Sequence, residues 1–150
     1  MSLKQRLEND LHVAMKSGDN NAKQTIRLAL SNMKLAEVQK GSPLEDIEIV
    51  SLLQKEIKSR SETILDAVKI NRQDIIDEAK AEIKIIETYL PQQLTQDELT
   101  EIIKSAISET NALGMSDMGK VMKVAQAKVL GRSSNDNVSK TVREMLSSIK

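Results

Sequence analysis

Residues 114–132 read Gly-Met-Ser-Asp-Met-Gly-Lys-Val-Met-Lys-Val-Ala-Gln-Ala-Lys-Val-Leu-Gly-Arg and carry the strongest chemical pattern in the chain. Gly114-x4-Gly119-Lys120 meets the first seven positions of the phosphate-cradling loop G-x-x-x-x-G-K-[ST]. In such a loop, backbone amides and the Lys hold a nucleotide's phosphates while a following hydroxyl holds magnesium. Here the following residue is Val121, which offers no oxygen. The loop also requires a strand before it, whereas residues 101–112 have helical periodicity. The pattern therefore predicts no nucleotide site, and no cofactor or metal is expected.

Other chemistry is scarce. The chain has no Cys, which excludes thiol nucleophiles, thiolate metal sites and disulfides. Its single His12 has no recognisable Ser or Cys partner and reads as a surface or boundary residue. No catalytic residue is assigned, and the chain alone is not expected to be an enzyme. Lys4, Arg6, Glu8 and Asp10 interrupt any signal-peptide apolar core, and no uncharged run approaches the ~18 to 20 residues of a membrane span. Together with the reducing compartment that a cysteine-free chain suits, this predicts a cytoplasmic protein with no membrane contact.

What remains is charge. The formal net charge is zero, but it is unevenly spread. Residues 95–118 carry Asp97, Glu98, Glu101, Glu109 and Asp117 against Lys104, whereas residues 119–150 carry Lys120, Lys123, Lys128, Arg132, Lys140, Arg143 and Lys150 against Asp136 and Glu144. A basic patch of this kind binds phosphate backbones by releasing counterions. The candidate RNA contacts are Lys120, Lys123, Lys128 and Arg132, with Lys140 and Arg143 behind them.

The elements that position these residues are all expected to be helices. Ser2-x-x-Gln5 forms a capping box for a first helix with the stripe Leu3, Leu7, Leu11 and Met15, closed by Gly18. A second runs from about Asn21 to Lys40. Gly41-Ser42-Pro43 breaks it, and a third extends to about Lys69 with Ile47, Val50, Leu53, Ile57, Ile64 and Val68 inward. Its outer face, with Lys55, Lys58, Arg60 and Glu62 and the (i, i+4) pair Glu56–Arg60, reads as solvated. A fourth helix follows Asn71–Asp74 and stops at Leu90-Pro91, because the residue before a proline avoids helical angles.

Thr95-x-x-Glu98 is a capping box for a fifth helix. A sixth begins after Gly114, read as a left-handed C-cap, with Ser116 or Asp117 as its N-cap. Met118, Val121, Met122, Ala125 and Val129 form its apolar face. Gly131 ends it, and Asn135 or Asn137 caps a seventh. The fold class is all-α, with an N-terminal four-helix bundle over residues 1–90, a linker at 91–94 and a three-helix domain over 95–150. With one Tyr and no Phe or Trp, both cores must be aliphatic, and Tyr89, Leu90 and Pro91 form a structural hinge.

Tyr89-Leu-Pro-Gln-Gln-Leu94, Asp117-Met-Gly-Lys-Val-Met-Lys123, Gly131-Arg132 and Val138-Ser-Lys-Thr-Val-Arg143, with Lys55-x-x-Lys58-x-Arg60-x-Glu62, resemble the GatB/YqeY family over essentially the whole chain. Where the stand-alone members usually have Ala-Asp-Gly after Gly-Arg, this chain has Ser133-Ser134-Asn135, with Asn expected to sustain the left-handed turn. The resemblance implies an N-terminal bundle and a C-terminal domain similar to the tail of the B subunit of tRNA-dependent amidotransferase. That tail touches tRNA while the chemistry lies elsewhere. The implied partners are tRNA or another structured RNA and the amidotransferase or aminoacyl-tRNA machinery. Association with a carbon–nitrogen ligase using glutamine as amido donor rests on the resemblance alone. The alternative is a helical protein-interaction module.

Overall fold

The computed structural model describes residues 1–149; Lys150, counted above in the basic segment, lies outside them. The described residues are all-α, as expected, with no strand. The helices are α1 (Leu3–Ser17), α2 (Asn20–Lys40), α3 (Asp46–Lys69), α4 (Gln73–Glu87), α5 (Gln96–Thr110), α6 (Met118–Val129) and α7 (Asn135–Ser147), with one turn of 3-10 helix at Met115–Asp117. Packing divides the chain into two compact units, Met1–Leu90 and a second beginning at Pro91.

In the first unit, α1 packs on α2, and α3 on α4, while α2 also packs against α3 and α4. Its core joins Leu7, Ile26, Ala29, Met33, Ile49, Leu53, Ile86 and Tyr89. Tyr89 follows α4 and is nearly buried. Its hydroxyl donates to the Asp10 carboxylate on α1, and the Arg6 guanidinium lies 4.7 Å from the ring centroid while donating to the Thr88 carbonyl. Burial, then the hydrogen bond to Asp10, pushes the phenol pKa far up. The only aromatic ring thus ties the exit of α4 to α1 and keeps its polar end satisfied.

In the second unit, α5, α6 and α7 close around Leu99, Ile103, Ala106, Val121, Ala125, Val129, Val138, Val142 and Leu146. Ala106 and Ala125 have no exposed surface, so a larger side chain at either would strain the packing. Each buried Leu, Ile or Val contributes about 1.5 to 3 kcal/mol by leaving water.

The helix ends show where apolar periodicity misleads. Both capping boxes form, at Ser2–Gln5 and Thr95–Glu98. The fifth helix, however, closes on Asn111 in the left-handed region, and Gly114 is extended, with φ 172°. The α6 cap is Asp117 without a side-chain cap bond, because its carboxylate accepts from the Leu113 amide instead. Leu130 and Gly131, not Asn135, hold the left-handed angles after α6. Ser134 caps α7 by accepting from the Asn137 amide, which makes Asn135 a helical residue. Ile47 and Val68 are exposed, contrary to the expected stripe of α3. The inward stripe runs instead through Ile49, Leu53, Glu56, Arg60 and Ala67, so a reading restricted to apolar residues breaks in its middle.

We propose that the two units fold independently. A chain of residues 91–150 should give a helical circular dichroism spectrum and a cooperative melt, and an unstructured fragment in the cold would show a shared core instead. In the intact protein, Tyr89→Phe should cost about 1 kcal/mol by leaving Asp10 without its donor, and Tyr89→Ala about 3 kcal/mol, both read from denaturant melts.

Candidate functional site

The phosphate-loop pattern is not built as a loop. Gly114 is extended, Met115–Asp117 make a 3-10 turn, and Gly119 and Lys120 already lie in the first turn of α6. The Asp117 carboxylate accepts from the Leu113 amide at 2.9 Å and lies 4.0 Å from the Lys120 ammonium. A carboxylate in this position repels a phosphate.

The six basic candidates fall into two groups. Lys120 and Lys123 are exposed on α6, and Lys140 and Arg143 are exposed on α7. Each pair is spaced (i, i+3), so the two charges of a pair share one side of their helix. The two helices pack against each other. Lys128 is engaged by Glu109 of α5 at 2.8 Å. Arg132 holds the linker: its Nε donates to the Gln92 carbonyl at 3.1 Å, and its own carbonyl accepts from the Leu94 amide at 2.7 Å. Gln93 also donates to the Pro91 carbonyl and, at 3.4 Å, to that of Gly131. The linker is therefore fastened to the turn between α6 and α7, and Arg132 is first a structural residue.

A second polar site lies in the first unit, where the sequence suggests a solvated face. Arg60 of α3 has a side chain only 11% exposed. Its Nε donates to Glu82 Oε2 of α4 at 2.6 Å, and its Nη1 donates to the Glu56 carbonyl and stands 3.7 Å from Glu56 Oε2. Glu56 is buried, and its Oε1 accepts from the Asn32 amide of α2 at 2.7 Å, while its Oε2 has no hydrogen bond. Burial pushes the Glu56 carboxyl pKa up, with Asn32 and Arg60 opposing the shift and Glu82 adding to it. Two carboxylates share one guanidinium. The (i, i+4) spacing of Glu56 and Arg60 was visible in the sequence, but Glu82 is too distant along the chain to signal that the pair is buried.

Among the described residues, no group of His, Asp or Glu converges as a metal site would require, and no helix is long and apolar enough to cross a membrane. The family described as Yqey-like protein matches residues 4–146, and the chain belongs to it. The chain is 29% identical, over 94% of its length and 79% of the relative's, to a Pyrenophora tritici-repentis protein named "Altered inheritance of mitochondria protein 41, mitochondrial". Proteins of the same name from Lachancea thermotolerans and Kluyveromyces lactis are each 37% identical, over 57% and 55% of this chain. Those two matches span only 46% and 45% of the yeast proteins, about half their length.

These names overturn the expected cytoplasmic location, since the relatives are named as mitochondrial. The composition had suggested only a reducing compartment, and the lack of cysteine does not say which one.

The buried network makes stability depend on pH. A carboxyl whose pKa is raised on folding stabilises the protein below its unfolded pKa, and that contribution is lost as pH rises through the folded value. Glu56→Gln keeps an acceptor for Asn32 and removes the titration. Between about pH 4 and pH 8 the variant should gain melting temperature relative to the native protein as pH rises. Parallel curves across that range would show that Glu56 does not titrate abnormally.

Proposed function

We propose that this chain is a helical module that grips the phosphate backbone of a structured RNA, tRNA being the leading candidate, through Lys120, Lys123, Lys140 and Arg143. The single observation that carries this reading is the pair of (i, i+3) basic faces on two packed helices of one small domain. Lys128 and Arg132 flank these faces and contribute second, because each already has a partner inside the protein. The contacts are to backbone and shape. Lysine at this spacing positions a nucleic acid without reading its bases, and with a single aromatic residue, buried in the other unit, there is no platform for stacking single-stranded bases. The resemblance to the amidotransferase tail supports placing the module beside amidotransferase or aminoacyl-tRNA machinery, with any ligase chemistry supplied by the partner. The names of the relatives support a mitochondrial compartment.

A protein-interaction role is the second reading. The exposed Leu113 and Leu130, at the ends of α5 and α6, favour it by offering apolar surface next to the charge.

A salt titration of tRNA binding separates the two. Lys120→Ala with Lys123→Ala should leave the melting temperature unchanged, since both side chains are exposed. The double variant should weaken binding of several folded RNAs about equally and flatten the log–log salt slope by roughly 0.7 to 0.9 for each phosphate it no longer neutralises. Equal slopes and affinities in two equally stable proteins would remove this face from RNA binding and leave the interaction module.

A further inference from the structure

α2 packs on α1, α3 and α4 and buries Thr25, Ile26, Ala29 and Met33. The opposite side of the helix is uncovered. Leu28, Leu35 and Val38 on that side are 49%, 63% and 73% exposed. They stand at i, i+7 and i+10, with the exposed Ser31 between the first two. This is the a/d spacing by which one helix pairs with another. In that register Arg27 and Lys34 fall at g, beside the seam, and both are exposed. Lys23 lies one turn before Arg27 on the same side. Lys40 at the end of α2 is engaged by Glu48, but among the described residues no carboxylate pairs with Lys23, Arg27 or Lys34. The only acidic residue of α2, Glu37, is held by Lys4 of α1. The face thus joins an apolar seam to a basic edge that nothing in the chain neutralises.

We propose that this face of α2 docks an acidic amphipathic helix of a partner protein, with apolar side chains on Leu28, Leu35 and Val38 and carboxylates against Arg27 and Lys34. Charge complementarity selects this occupant, because charges beside an a/d seam set which helix pairs with it. A second copy of the chain does not fit, since its α2 brings the same basic edge and no free carboxylate. Anionic lipid would meet the charge, but an interfacial helix buries a broad apolar face, and here Ser31 interrupts a seam of three side chains. RNA phosphates would meet the charge and leave both leucines in water. A helix with both features covers the whole surface.

The test is two-dimensional amide NMR on the full chain at low salt. The probe is a stapled helical peptide of about three heptads with Leu at a and d and Glu at e and g, set against the same peptide with Lys at e and g. The Glu peptide should shift the amides of Leu28, Ser31 and Leu35 saturably, and the Lys peptide should not. Arg27→Glu with Lys34→Glu should reverse that preference and weaken the Glu peptide about tenfold. Leu28→Ser with Leu35→Ser should weaken it about tenfold as well. All four positions are exposed, so melting temperatures should stay close to the native value. Absence of saturable shifts, equal shifts with the Lys peptide, or an unchanged preference in the charge-reversed protein would overturn the proposal. Phosphatidylglycerol vesicles and tRNA are titrated alongside. Either of them shifting these amides where the Glu peptide does not would assign the face to lipid or to nucleic acid and overturn the proposal too. The readout is confined to α2, so it is independent of RNA binding through α6 and α7.

Discussion

Three helices of the first unit converge on one mostly covered guanidinium. Arg60 brings a full positive charge to the seam of α3 and α4, where removal from water is costly unless opposite charge and hydrogen bonds offset it. Glu82 supplies the close partner from α4, and Glu56 supplies a second carboxylate from one turn earlier on α3. Asn32 then draws α2 in by bonding to Glu56. Three helices are fixed in register by four polar side chains. Hydrogen bonds are directional, so this group adds register to what the shapes of the packed aliphatic side chains already specify. The apolar residues supply most of the stabilisation.

The connection between the units follows from similar bonds at each of its ends. On the first unit, Arg6 donates to Thr88 and Tyr89 donates to Asp10. On the second, Arg132 exchanges backbone and side-chain bonds with Gln92 and Leu94. Between these clamps lie Leu90 and Pro91. Proline has no amide hydrogen to donate and a fixed φ, so Pro91 itself makes no backbone bond through nitrogen. The residues between the helices are thus mostly accounted for by one unit or the other.

Much of this was legible in the sequence. The two capping boxes, the glycine ends of α1 and α2 and the aliphatic cores follow from local patterns. The start at Glu45 was not legible, because it has no side-chain cap bond, and the starts at Arg72 and Asp117, which lack such a bond too, were legible only to within a residue or two. The left-handed residues Asn71, Asn111 and Leu130 were missed for a related reason. Glycine announces such a turn, whereas other residues adopt it only when packing over-determines it. The Arg60 network was illegible for a stronger reason. An (i, i+4) Glu–Arg pair has the same sequence on a wet surface and in a core, and only the tertiary approach of Glu82 and Asn32 distinguishes them. Arg132 had the same ambiguity, since a basic residue past a helix end suits a phosphate and a carbonyl equally well.

Taking two of the six basic residues into internal bonds bears on how an RNA would be held. With four cations left on α6 and α7, roughly four phosphates can be neutralised, which corresponds to a salt slope of about −3 to −4. Such a slope gives modest affinity at physiological ionic strength. Lys120 is further tempered by Asp117, and α5 brings acidic residues into the same small domain, so non-specific adhesion to any nucleic acid is disfavoured. A module that bound RNA in the proposed way would select by requiring phosphates at the spacing of two packed helices, as a folded RNA presents them and a flexible strand does not. On the proposed reading, four phosphate contacts would call for a second point of attachment at cellular concentrations. On the same reading, an RNA-bound enzyme beside it would supply that attachment through effective concentration, which raises occupancy while this chain's own interactions stay the same.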